Sequence, residues 1–332
     1  MIFGPGDLSW GAHGTDEYVP IDQVIAACKV YAGLIVDLAG RRGREPRDGA
    51  AVGGRLRRFI ASAVSGLDRL ETDRAKREGT ALPGPVLIAG ESWIIRSIHI
   101  KGFDSFTTHA YEEGVQWLRG AVEEAGYTVD FMPNHLVPAG FPSEVRSLNR
   151  YGAVIFSDVG ANSLLLHPAS FGQSRRTPNR LDLLAEYVAA GGGFLMIGGY
   201  MSFAGIDGKA RYAGTVVEQI LPVQIATGDD RVELPQGREP EVIAPDHPVM
   251  RNMPRSWPAF LGYNRITAKP DAEILMRCGN DPFLVAGTWG SGRTMAFASD
   301  CGPHWAPPPF LEWEHHNRFW AQILNWLSRA SG

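Results

Sequence analysis

"GGFLMIGGYMSFAG", residues 192–205, carries the reading of the fold. An apolar run ending in Gly198 and Gly199 has the texture of a buried strand. It runs into Tyr200, Met201, Ser202 and a helix-compatible stretch. Strand, sharp turn and helix are the parts of a nucleophile elbow, where small residues let the backbone bend tightly. The tip of such a turn should carry Cys or Ser. Here it carries a tyrosine.

Working outward, "PVLIAG" (85–90), "YTVDFM" (127–132), "YGAVIFS" (151–157) and "GFLMIG" (193–198) are short apolar runs bounded by polar residues or glycine. Helical patterns lie between them, at 108–125 and 179–190. For the second, Thr177 is the expected cap, Pro178 the first position and Gly191 the end. Alternating strands and helices imply parallel pairing, right-handed crossovers and a doubly wound sheet. "AEILMR", "FLVAGTWG" and "RTMAFAS" follow as three close strands, an antiparallel extension with tight turns at "GNDP" and "GSG". "WGSGR" (289–293) lacks the Lys-Ser/Thr ending of a phosphate loop and joins two strands, so it is a hairpin turn. A last helix is expected over 310–328.

The N-terminal part is different material. Residues 1–40 form a polar loop and one amphipathic helix over 20–39, and residues 41–82 an Arg/Gly-rich linker with a second amphipathic segment. Asp68, Glu71, Asp73 and Glu78 interrupt the basic charge of that segment, which favours a solvated face over a membrane one. The α/β part is expected over 83–332, its core strands starting at Pro85.

The formal net charge of −4 gives no sign of nucleic acid or an anionic membrane as partner. Apolar runs fall short of the ~20 residues of a spanning helix, and no signal peptide is apparent. Cys28, Cys278 and Cys301 are widely spaced and odd in number, as expected of free thiols in a reducing cytoplasm, with no disulfide framework and no zinc cluster. No cofactor is expected.

Open parallel sheets bind ligands beyond the carboxyl ends of their strands. Four such ends carry polar or aromatic groups: Glu91, Ser92 and Trp93; Ser157, Asp158 and Asn162; Tyr200 and Ser202; Asp300, His304 and Trp305. The loop after the first strand extends through His99, Lys101 and Asp104. Together they offer an acid, a base, a cation and flat apolar walls, a mixture suited to a small polar or anionic metabolite such as a carboxylate or sugar. Taken singly, each also has an ordinary structural use as turn cap, solvated charge or packing. Cys301 is either a displaced nucleophile beside His304 or a small residue in the "DCGPHW" turn. No G-x-S-x-G surrounds Ser202.

Residues 83–329 resemble the putative glutamine amidotransferase family of the class I glutamine amidotransferase-like superfamily. The likeness rests on "GESWIIRSIHIKGFDSFTTHAYEEG" (90–114), "GGYMSFAGIDGKARYAGTVVEQILPV" (198–223), "PDHPVMRNMP" (245–254) and "GTWGSGRTMAFASDCGPHW" (287–305). The resemblance implies a flavodoxin-like sheet and puts Tyr200 where the family's glutaminases hold the nucleophilic Cys. A phenol of ordinary pKa ~10 is a poor acyl acceptor, so glutaminase chemistry is not expected. The turn then survives either as a hollow of backbone N–H groups for an anion or as a packing device. Related domains that lack the nucleophile serve as association modules, which implies a homo-oligomeric scaffold. A hydrolase or amide-processing enzyme using Asp300 and His304, with Tyr200 as acid or oxyanion donor, is the alternative.

Residues 3–40 resemble the C-terminal end of acetylornithine deacetylase and desuccinylase-type zinc metallopeptidases, on "FGPGDLSWGAHGTDEYVPIDQVIAACKVYAGLIVDL". That resemblance implies a zinc ligand at His13. One His cannot hold a catalytic zinc, so a gene-fusion remnant is expected, with completion by another chain as the alternative.

Overall fold

Three apolar runs, Val86–Gly90 (β1), Ala153–Ser157 (β5) and Gly193–Ile197 (β6), become adjacent parallel strands in which every residue is buried. Strands covered on both faces read as continuous apolar runs, which is why they stand out in the sequence. The computed structural model of the protein describes residues 84–329. The expected helix over 20–39, the linker and His13 lie outside the described residues.

The other strands are β2 (Ser92–Lys101), β3 (Asp104–Glu113), β4 (Val129–Met132), β7 (Val223–Gln224), β8 (Arg231–Arg238), β9 (Glu241–Val242), β10 (Phe260–Asn264), β11 (Thr267–Ala268), β12 (Glu273–Cys278), β13 (Asp281–Trp289) and β14 (Gly292–Phe297). Eight form one sheet in the order β4-β1-β5-β6-β14-β13-β12-β9. Pairing is parallel from β4 to β14 and antiparallel from β14 to β9. The order reverses between β1 and β5, the kind of crevice where ligands sit in open sheets. Gly90, Ser157, Ile197 and Phe297 are register partners in one row, so the residues that follow β1, β5, β6 and β14 emerge along one edge.

The main helices are α1 (Gln116–Glu124), α2 (Arg180–Ala189) and α3 (His316–Ser328), with α3 against α1. The cap of α2 falls on Asn179, whose side chain accepts from Leu181 N at 3.1 Å, two residues later than the expected Thr177. The last helical stretch is divided into Pro308–Leu311 and α3.

Two expectations are corrected. The helix expected over 108–125 begins only at Gln116, because residues 104–113 are β3. The "loop" after β1 is the long hairpin β2–β3, paired along its whole length from Ser92↔Glu113 to Lys101↔Asp104. Ile94, Ile95, Ile98 and Ile100 supply the β-branched content that favours it, and Gly102, at φ +62°, takes part in its turn.

Candidate functional site

The strand ends enclose a cavity of about 350 Å³ lined by Glu91, Trp93, Asp158, Tyr200, Asp300, Pro303 and His304. Each acid comes from a different strand end. Glu91 and Asp158 directly follow β1 and β5 and take left-handed φ of +46° and +49°. Non-glycine residues seldom adopt that conformation, and strain of this kind concentrates where side chains are aimed at a site.

Beyond β6 the expected elbow takes another form. Gly199 (φ +142°) starts a turn, Phe203 (φ +52°) and Gly205 (φ +72°) continue it, and a short 3-10 segment follows at Ile206–Gly208. No α-helix follows directly. Ala204 N and Gly205 N both donate to the buried Asp230 carboxylate at 2.9 Å, which ends the turn where a helix would have started. Asn264 of β10 clamps Gly199: its Oδ1 accepts from Gly199 N at 2.9 Å, while Nδ2 donates to Gly199 O and to Asp230 Oδ1.

The expected amide hollow is already filled. Asp158 Oδ1 accepts from Met201 N at 2.6 Å, and the Tyr200 amide also favours that carboxylate. The hydroxyl of Ser202 is buried and accepts from Asp158 N at 3.1 Å, so it supports the turn and does not reach the cavity.

Tyr200 is a wall of the cavity. Its hydroxyl donates to Glu233 of β8 at 3.2 Å, and the Arg231 guanidinium lies 4.8 Å from its ring centroid. Glu233 also accepts from Trp305 Nε1 at 2.9 Å and so pins both rings. His304 meets the Tyr200 ring edge-on at 4.4 Å and stacks on Trp305 at 4.9 Å. Its Nδ1 is 3.5 Å from Asp300 Oδ2, and 36% of its side chain is exposed. With Nδ1 turned to a carboxylate, Nε2 is the nitrogen available to a ligand. Asp300 Oδ1 accepts from Cys301 N and Gly302 N, so backbone fixes the acid that orients the histidine.

The acids disturb one another. Burial first, then Asp300 and Asp158, holds the Glu91 carboxyl well above the usual range, and it accepts from Ser157 Oγ at 2.5 Å. Burial and Asp300 push Asp158 up to about 6, against the pull of the Met201 amide and His304. Cys301 is fully buried, and burial, Glu91 and Asp300 raise its thiol, the opposite of an activated nucleophile. Glu91, Asp300 and Cys301 bring ligating atoms within 4.8 Å of one another, the one such trio among the described residues. To hold a cation it would have to give up protons that burial favours.

Of the residues singled out in the sequence, Glu91, Trp93, Asp158, Tyr200, Asp300 and His304 line one cavity, with Trp305 behind them. Ser92 does not line the cavity: it is buried, accepts from Asn134 N at 2.8 Å and borders a second hollow. His99, Lys101 and Asp104 are not brought to the cavity. They lie toward the tip of the exposed hairpin, where His99 stacks on Phe106 and Lys101 pairs in register with Asp104. A loop would have let them fold back; a ten-residue strand carries them away. Glu233, Arg231, Asn264 and Asp230 were missed, since no local motif marks them.

An open, mostly parallel sheet with a cavity at its strand ends makes the described residues a mixed α/β domain of the open-sheet class. The chain matches the family described as "Putative glutamine amidotransferase" over residues 85–329 and belongs to that family. Among solved structures it is similar to cytoplasmic protein STM3548 from Salmonella typhimurium, at 45% identity and TM-score 0.71, covering 73% of this chain and 98% of that one. It is equally similar to cytoplasmic protein STM1381 from Salmonella typhimurium LT2, at 45% identity and TM-score 0.71, covering 73% and 99%. No curated protein sequence matches it.

Proposed function

We propose that the cavity binds a small, uncharged polar metabolite and that His304, oriented by Asp300, moves a proton at it. The observation that carries this is the partly exposed His304 ring, held between two aromatic side chains with Nδ1 facing a backbone-fixed carboxylate. A base oriented in this way suits acid–base chemistry, including activation of a water for hydrolysis. The reading is supported by the strand order, which reverses between β1 and β5 beside Glu91 and Asp158, the kind of switch point that ligands use in open sheets.

Charge decides the ligand class. Among the described residues, three carboxyl groups line the cavity and no lysine or arginine does. A ligand carboxylate about 4 Å from an ionised aspartate would meet roughly 4 kcal/mol of repulsion at an effective dielectric of 20. Hydroxyl or amide donors facing the carboxylates, with Trp93 and Tyr200 as flat walls, fit a neutral polyol, sugar or amide. The polar half of the sequence expectation is kept and the anionic half set aside.

Glutaminase chemistry is not part of this reading. Tyr200 replaces the nucleophile, its hydroxyl is bonded to Glu233, and Asp158 occupies the turn amides that would hold an oxyanion. Purified protein is expected to release no ammonia from glutamine. Glutaminase activity that disappears in Tyr200→Phe would overturn that statement.

A binding module without turnover is the second reading, favoured by the 3.5 Å between Asp300 and His304, longer than a good hydrogen bond. Residues 3–40, with the single His13, lie outside the described residues, and neither reading draws on them. The two Salmonella relatives are described as cytoplasmic, and among the described residues no helix is long and apolar enough to cross a membrane. The same compartment is proposed here. A ligand screen by thermal shift, repeated with His304→Ala, tests the site.

A further inference from the structure

The hairpin β2–β3 has no strand neighbour other than itself among the described residues. Both strands are ten residues long and exposed almost throughout. Ile94, Ile98 and Ile100 are 61%, 64% and 75% exposed. A lone two-stranded hairpin is marginally stable in water, and a long apolar edge of unpaired N–H and C=O groups is a template for another strand.

We propose that the free edge of β2 pairs antiparallel with the same edge of a second copy of this chain, about a two-fold axis at Ser97, making a four-stranded sheet across the dimer. Residues opposite one another in an antiparallel pair share a face, so the register must centre on a residue. Centring on Ser97 places Ile94 opposite Ile100 of the other copy, twice by symmetry. It also places Lys101 opposite Trp93, whose Nε1 donates to Glu112 at 3.0 Å, so a cation of one copy meets an indole and carboxylate of the other. Centring on Arg96 would set two guanidinium groups against each other. The β3 edge carries Asp104, Glu112 and Glu113 and no isoleucine, and centring it on Thr108 sets Asp104 against Glu112. Apolar content and charge therefore select the β2 edge and a second copy. The pairing would also anchor Trp93, a wall of the cavity.

Sedimentation equilibrium of the full chain should give twice the chain mass. Ile100→Asp, at an exposed position that leaves the fold intact by circular dichroism, should weaken the dimer roughly tenfold or more. Opposite residues of an antiparallel pair lie ~4.5–5.5 Å apart at Cα, within disulfide range. Under mild oxidation Ser97→Cys should therefore form a covalent dimer on a non-reducing gel above the wild-type background. Thr108→Cys, on the far strand, should not. A monomeric wild type at tens of micromolar, with the hairpin covered by residues 1–83 or floating with lipid vesicles, would overturn the proposal. Cross-linking of Thr108→Cys as fast as Ser97→Cys would do so too.

Discussion

Gly198→Ala is expected to unfold the protein or cost it on the order of 4 kcal/mol. A Cβ at Gly198 would sit 2.2 Å from the Ala298 carbonyl oxygen, 2.7 Å from its carbon and 2.8 Å from Asn264 Oδ1. These are backbone and clamped atoms, not the ends of flexible side chains. Gly198 N donates to both Phe297 O and Ser299 O, at 2.8 and 2.9 Å, so β6 and β14 cannot part without losing ladder bonds. A methyl there pushes apart the two strands that deliver Tyr200 and Asp300. Gly120→Ala is the control: it lies in α1 with nothing within 4 Å of the added carbon, and alanine gains up to about 1 kcal/mol in a helix. Urea titration of both variants reads the difference. A Gly198→Ala midpoint equal to that of wild type would show that the strand-end geometry is looser than described.

Asp158→Asn is expected to match the wild type near pH 4 and to be more stable than it at pH 8, by on the order of 2 kcal/mol. The sign follows from the direction of the shift. Asp158 has a folded pKa raised to about 6, above its unfolded value, so the folded state binds the extra proton between about pH 4 and 6. Its favourable share of stability is complete below that window and is lost as pH rises through it. Glu91 is raised in the same direction by burial, Asp300 and Asp158. His247 and His316 are lowered by burial and act oppositely, so the difference between variant and wild type is the clean readout. An asparagine keeps an oxygen for Met201 N and removes the charge that crowds Asp300. A stability difference independent of pH would mean that Asp158 is not held in an acidic cluster.

The buried half of this architecture was legible because burial on both faces writes itself as unbroken apolar runs. "VLIAG", "AVIFS" and "GFLMI" announce themselves, and the strand-end rule then points to Glu91, Tyr200, Asp300 and His304 without any motif. The hairpin was missed for the converse reason. An exposed ribbon has no buried face, so Arg96, Ser97 and His99 interrupt its isoleucines and the segment passes for a loop running into a helix. Its β-branched residues were the available signal. The turn after β6 looked like a strand-to-helix elbow because glycine and small residues permit both outcomes. Asp230 and Asn264, distant in sequence, choose between them through hydrogen bonds no local pattern encodes.

The most direct measurement of the site is a thermal-shift series on wild type and His304→Ala at pH 8, with neutral sugars, polyols and amides in one arm and carboxylates and phosphate in the other. A neutral compound present at about a hundred times its Kd should raise the wild-type melting temperature by roughly 5 °C or more. That shift should shrink in His304→Ala, and the anions should give none. Stabilisation by anions alone, or a neutral ligand whose shift is the same without His304, would contradict a neutral-ligand site built around His304 and Asp300.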